Sequence, residues 1–228
     1  MAKLVATPGS VTTWLNHWSL LHADWDSLAA VNRIGIDGTL LQMVLARRGA
    51  TVNRSSADLV LPVVFSEVLP PQAPIAIIGA APGVAKKVAE RLAPRTVLAV
   101  NGYEELRDLR ANPQALIDLN PALVILGLGA GLQDEVAKEI SALLPQAAVC
   151  TAGGWIDQFA KKETYFPAWV HRFRLGWAWR IANEPRRLIG RYTTEAAVFL
   201  WQSKTLATRL LDLGTVGQWG IEVTPHQK

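Results

Sequence analysis

Three kinds of arrangement in this chain could hold and activate a polar substrate: a lone carboxylate, glycine-rich turns and a basic segment. IGIDGTL (34–40) sets Asp37 between an apolar stretch and a glycine, just ahead of a helical run. The sequence alone favours a helix N-cap there. As chemistry, Asp37 is a carboxylate at a pocket edge, able to take a proton from a hydroxyl. IIGAAPGVA (77–85) carries Gly79 and Gly83 in a turn that leads into a helix. Its amides could hold phosphate, or it simply ends a strand. In GLGAGLQDE (127–135), Gly127, Gly129 and Gly131 leave a strand tip bare. Gln133 then offers an amide donor and acceptor beside Asp134, suited to sugar hydroxyls or the edge of a base; the plain alternative is a flexible strand-to-helix turn. TAGGWID (151–157) repeats the theme with Gly153, Gly154 and Asp157.

The third arrangement is HRFRLGWAWRIANEPRRLIGRY (171–192), with six arginines among 22 residues and Phe173, Trp177, Trp179 and Tyr192 between them. The charge is local: residues 161–209 carry +7 and the rest of the chain −3, for a net +4. A localised basic patch predicts an anionic partner: a nucleic acid, a membrane surface or an anionic ligand. A merely solvated helical face usually mixes both signs and carries few Trp residues.

The elements that must position these groups alternate. Short apolar runs at 57–65, 75–79, 96–100, 122–129 and 147–150 read as strands. Helical spacing separates most of them, at 82–92, 104–119 and 132–144. Continuous apolar strands between helices predict a parallel sheet covered on both faces, an α/β, Rossmann-like core. Ligands then sit beyond the carboxyl ends of the strands, where the glycine-rich turns fall. Ahead of this, 14–31 reads as helical, and TLLQMVLARRG (39–49) as a helix ended by Gly49. From Trp155 onward the chain reads as mainly helical. Two regions follow: a core over 1–160 and an Arg/Trp-rich appendage over 161–228.

Composition narrows the classes. The chain has 228 residues, half of them apolar, ample for one large core. Cys150 is the only cysteine, so no intrachain disulfide can form, and a reducing compartment fits. Nothing resembles a signal peptide or a run of ~20 apolar residues, which predicts a cytoplasmic protein that can lie on a membrane without crossing it. His17, His22, His171 and His226 show no metal-ligand spacing. Asp24 and Asp26 form a D-x-D, but in a helical stretch rather than at a strand end. There is no P-loop, no G-x-S-x-G and no full G-x-G-x-x-G.

In order, these segments resemble the WecG/TagA/CpsF family of bacterial glycosyltransferases, from about residue 30 to 192. IDG (36–38), the helix after it and the 77–92 segment match family features, and NGY (101–103), with Gly102 and Tyr103, resembles an H-G-Y-F motif. PALVILGLGAGLQDE is similar to the most specific family motif, P-D-hydrophobic-V-G-L-G-x-P-x-Q-E. AGGWIDQFA resembles G-G-x-F-D, and PAWVHRFRLGWAWRIANEPRRLIGRY resembles the closing W…E-P-x-R…R-Y segment. Departures stand at Gly131, Leu132, Asp134, Tyr165, Phe166 and Gly176, and a T-x-N motif is only loosely echoed by Thr13 and Asn16.

The resemblance implies an inverting transfer of a hexosyl or N-acetylhexosaminyl group. The donor would be a UDP-sugar and the acceptor a polyprenyl-diphosphate-linked saccharide, in surface-polysaccharide synthesis at the inner leaflet. It implies no cofactor and no metal, and it leaves room for a homo-oligomer. Asp37 would be the general base. Gly79, Gly83, Gly102, Tyr103, Gly127, Gly129, Gln133, Gly153, Gly154 and Asp157 would contact the nucleotide sugar. Arg180, Arg187 and Arg191 would meet diphosphate, which a guanidinium can bind bidentately; Arg172, Arg174 and Arg186 would face lipid or solvent. A second reading, a non-catalytic relative that binds nucleotide sugar or scaffolds an assembly complex, rests on the departures. A third, single-stranded nucleic-acid binding, rests on the Arg and aromatic content. The α/β core with bare strand ends argues for a small-molecule site over that third reading.

Overall fold

A computed structural model describes residues 1–162, 170 and 175–224, except for the side chain of Arg187. Eight strands form one sheet: β1 (Val11–Leu15), β2 (Arg33–Ile36), β3 (Ile75–Gly79), β4 (Val97–Val100), β5 (Leu123–Gly127), β6 (Ala148–Thr151), β7 (Gly214–Gly217) and β8 (Gly220–Val223). The order across the sheet is β4-β3-β5-β6-β1-β2-β8-β7. The first six of these positions pair in parallel, and β8 and β7 close the β2 edge as an antiparallel hairpin.

The α/β, mostly parallel sheet follows from the continuous apolar strands. Alternate residues enter two cores on opposite faces. Ile75, Ile77, Leu123, Ile125, Ala148 and Cys150 face one; Ala76, Ile78, Val124, Leu126 and Val149 face the other. Period-2 alternation puts both sets out of water, so the strands show no polar side in sequence. Most of the helices fall where the periodicity places them: α4 (Thr39–Ala46), α6 (Val84–Arg91) and α9 (Leu132–Leu143). The 104–119 stretch is two helices, α7 (Glu104–Ala111) and α8 (Gln114–Leu119), broken at Pro113, which cannot continue the first.

The structure corrects two expectations and adds to a third. Residues 57–65 are not a strand but α5 (Ala57–Val63), continued by one π-helical turn over Val64–Val68. Ala57, Val60, Leu61 and Val64 are buried while Leu59 is 40% exposed, which is i, i+3, i+4, i+7 helical spacing inside a mostly apolar run. Second, the start of the 14–31 segment belongs to β1, all five residues of which are buried. After the short α1 (Ala2–Val5) and β1, only α2 (His17–Leu21) and α3 (Trp25–Leu28) are helical there. Third, the C-terminal part is mainly helical among the described residues, as expected, but it ends in strands. After α10 (Trp155–Lys161), α11 (Gly176–Asn183), α12 (Pro185–Tyr192) and α13 (Thr194–Leu211), the chain returns to the sheet as the β7–β8 hairpin. This hairpin satisfies the backbone groups that β2 would otherwise expose.

Gly79 ends β3 against β5. A Cβ there would lie 2.4 Å from the Gly127 carbonyl oxygen, and its φ is +142°. The two strands can therefore run side by side to their tips only with glycine at this position. Gly83, by contrast, has a φ of +81° but open space around it. Gly79→Ala should lower unfolding stability by about 2–4 kcal/mol and Gly83→Ala by about 1 kcal/mol. Urea unfolding of both variants checks this, and equal losses would contradict it.

Candidate active site

Six parallel strands end on the same side of the sheet, and the turns that leave them surround a cavity of about 530 Å³. Asn16 follows β1, Asp37 follows β2, Ala80 and Ala81 follow β3, Gly102 and Tyr103 follow β4, Gly127 and Gly129 end β5, and Gly153 and Gly154 follow β6. Gln133, Asp157, Arg180 and Arg191 complete its walls. Fold geometry thus gathers, from six separate turns, most of the residues singled out in sequence. Gly79 and Gly83 flank this cavity rather than line it; Ala80 and Ala81 between them form the wall. The side chain of Arg187 and all of Tyr165, Phe166, Arg172 and Arg174 lie outside the described residues. Arg186 is exposed.

A second cavity, of about 360 Å³, adjoins the first and is lined mainly by apolar surface. Leu40, Met43, Gly176, Trp177 and Ala196 form much of it, and Asn16, Asp37 and Arg180 border both cavities. The carboxylate of Asp37 therefore stands between a polar, glycine-lined chamber and an apolar one.

Asp37 is not a helix cap. Gly38 occupies the cap position of α4, and the Asp37 backbone N–H donates to Leu15 O at 2.8 Å, which continues the β1–β2 pairing past the strand end. That frees its side chain for the cavities. Oδ1 lies 3.6 Å from Arg54 Nε, with both side chains 19% exposed. Burial raises the carboxyl above its usual range; Arg180 and Arg54 oppose this, and Asp58 adds to it. Burial also works against charge on Arg180, yet Asp37 and Tyr192 hold its guanidinium more firmly protonated than usual. With the Gln158 carboxamide oxygen turned toward it, that oxygen accepts from Arg180 Nη2 at 3.0 Å and Nε at 3.2 Å.

Gln133 is 3% exposed, and its Oε1 is buried without a hydrogen-bond partner among the described residues. An acceptor left unmatched in this way costs about 1–3 kcal/mol until a donor arrives. The Asp134 carboxylate fixes Gln133 at the start of α9. Asp134 Oδ2 accepts from the Gly131 N–H and Oδ1 from Thr13 Oγ1, each at 3.3 Å, and the Thr13 and Thr151 hydroxyls lie 2.6 Å apart. Tyr103 projects at the rim, 63% exposed, its N–H held by Asn101 Oδ1 at 2.9 Å.

Sequence reasoning did not single out Trp14, Trp18, Arg54, Asp58, Gln158 or Glu184 as site residues. Apart from Gln158, which follows the Gly153–Gly154 turn on α10, they lie on segments without glycine motifs, and only the sheet order brings them together. Asn16 had one local signal. It precedes α2 and, with Ser19, forms a capping box there. Among the described residues, no three His, Cys, Asp or Glu side chains gather as a metal would require, and no helix is long and apolar enough to cross a membrane.

The family model "Glycosyl transferase WecG/TagA/CpsF family" matches residues 2–211. Among curated proteins, the chain is 23% identical over 180 residues to a UDP-Gal:alpha-D-GlcNAc-diphosphoundecaprenol beta-1,4-galactosyltransferase of Shigella boydii, a match covering 75% of this chain and 76% of the relative.

Burial pushes Asp134 up to about 6, against the Gly131 N–H and the Thr13 hydroxyl, which pull it down. Its protonated form is thus favoured on folding. The resulting stability is full below the ordinary carboxylate value and is lost as the pH rises through about 6, on the order of 3 kcal/mol over that interval. Asp134→Asn, close in shape and uncharged, should flatten that part of the profile. Unfolding midpoints at pH 4.5 and 7.5 should differ less for the variant; an undiminished difference would refute the assignment.

Proposed function

The chain belongs to the WecG/TagA/CpsF family of glycosyl transferases, and on that premise we propose that it is an inverting transferase that moves a hexosyl group from a UDP-sugar to a polyprenyl-diphosphate-linked saccharide in surface-polysaccharide synthesis. One observation carries the reading: Asp37 stands where a polar, glycine-lined cavity meets an apolar one. The nucleotide sugar occupies the larger chamber. The bare turns after β5 and β6 allow its close approach, and the buried Gln133 Oε1 accepts from a ribose hydroxyl or the base edge. The acceptor sugar enters through the smaller chamber, past Trp177 and Met43. The name of the Shigella relative supports UDP-galactose as donor and a GlcNAc-diphosphoundecaprenol as acceptor; an N-acetylhexosaminyl donor would use the same chamber.

Transfer then takes one displacement. The acceptor hydroxyl passes its proton to Asp37 while its oxygen attacks the anomeric carbon. The bond from that carbon to the UDP oxygen breaks, and configuration inverts because the attack comes from the opposite face. Charge gathers on the departing diphosphate, where Arg180 and Arg191 offer fixed positive charge. Burial strengthens Asp37 as a base, and Arg180 and Arg54 limit the rise.

The membrane is the expected setting, since the acceptor's lipid stays in the bilayer. Support comes from α13 and α11. Trp201 is 90% exposed, and Trp177, Val198 and Leu200 are each about half exposed; indole rings favour the interfacial zone.

Asp37→Asn should lower kcat by roughly 10²–10⁴-fold while UDP binding persists. The acid limb of kcat/KM should lie above the ordinary carboxylate range. Arg54→Met should move that limb to still higher pH, because the carboxylate loses a stabilising cation. Transfer of labelled sugar from UDP-galactose to a GlcNAc-diphospholipid measures all three. Full activity in Asp37→Asn would reject the general-base role, and UDP binding without any turnover in the parent would favour a non-catalytic relative.

A further inference from the structure

α2 grips the C-terminal helices at three points. The His17 Nε2–H donates to the Arg191 carbonyl oxygen at 3.1 Å. The His17 ring packs 5.4 Å from Tyr192 and 5.9 Å from the fully buried Phe199, between centroids. His22 Nε2 meets Glu195 Oε1 at 3.0 Å. Between them, the Arg191 guanidinium lies 3.7 Å above the centre of the Trp18 ring, and the His22 ring, tilted by 46°, lies 4.8 Å from that ring. Trp18 and Arg191 both line the larger cavity.

This contact has a consequence for the site. An arginine side chain has four rotatable bonds and gives up much conformational freedom to hold one position. A ring beneath the guanidinium fixes its plane by cation–π attraction. Stacking uses the face of the group, whereas its N–H donors point outward in the plane, the geometry that meets phosphate oxygens in pairs. Trp18 also sits only two residues beyond Asn16, which borders both cavities, so the platform is rigidly tied to the β1 tip.

We propose that Trp18 is a positioning residue for anion binding: its indole face orients the Arg191 guanidinium toward a diphosphate in the larger cavity. This rests on the reading of that cavity as a UDP-sugar chamber. His17 sets the backbone of residue 191, and Trp18 sets the plane of its side chain. Neither need touch the ligand's reacting atoms.

Calorimetric UDP binding in a double-mutant cycle tests this. Trp18→Ala should weaken UDP about 10-fold, Trp18→Phe should restore it to within about 3-fold of the parent because a ring face remains, and in an Arg191→Ala background Trp18→Ala should cost less than about 2-fold more. Trp18→Leu, which keeps bulk without a π face, should bind as weakly as Trp18→Ala and serves where the alanine variant fails to fold. Parental affinity in Trp18→Leu, or a full further loss from Trp18→Ala on top of Arg191→Ala, overturns the proposal. A parent that binds inorganic pyrophosphate but not UDP overturns the nucleotide reading and leaves the same cycle to be run with pyrophosphate. A parent that binds neither overturns both.

Discussion

The pairing of β8 with β2 is the contact on which the geometry of the site depends. β2 leads directly into Asp37, and an open β2 edge would leave that strand held on one side only. The hairpin closes it, with Ile34 paired to Ile221 and Arg33 to Glu222. The same pairing ties down the far end of the chain. α11, α12 and α13 are thereby suspended between α10 at one end and the sheet edge at the other, with Arg180 of α11 and Arg191 of α12 at the cavity beyond the carboxyl ends of the strands. The basic segment cannot drift from the cavity without breaking strand pairing or pulling Phe199 and Leu210 out of the core.

Within that frame, the electrostatics are a balance around one carboxylate. Asp37 is kept where water is scarce, which disfavours its charge, and two arginines from distant parts of the chain offset the penalty. Arg54 comes from the segment after α4, while Arg180 comes from α11. Each of the two cations thus also ties its own segment to the end of β2. The result is a base that is stronger than an exposed aspartate. Asp134 and the two threonines beneath the β5–α9 turn follow the opposite logic. They serve the shape of the loop, holding Gly131 and Gln133 in place.

Much of this was legible in the sequence, for local reasons. Buried parallel strands are apolar on both faces, so β3, β4, β5 and β6 stood out as unbroken runs. The glycine turns after β5 and β6 showed where a ligand could approach. The run at 57–65 misled because a helix buried on one side, with Leu59 and Pro62 pointing out, can be nearly as apolar as a strand. β1 was obscured by its polar Thr12 and Thr13, which are buried through their place in the sheet. β7 and β8, only four residues each and rich in glycine, have no periodicity to read.

The sequence by itself determined the class of fold, the glycine-bare strand ends, the candidate carboxylate and the excess of arginine near the C-terminus. Each is a property of neighbouring residues, fixed by side-chain periodicity or backbone freedom. Tertiary structure alone decided that Asp37 is released from capping, that Arg54 and Arg180 meet at it from positions 126 residues apart, and that Trp18 lies under Arg191. These depend on the order of strands across the sheet and on the antiparallel return of the last hairpin. No short-range pattern encodes either, because strand order is set by which buried faces and edges can be satisfied together.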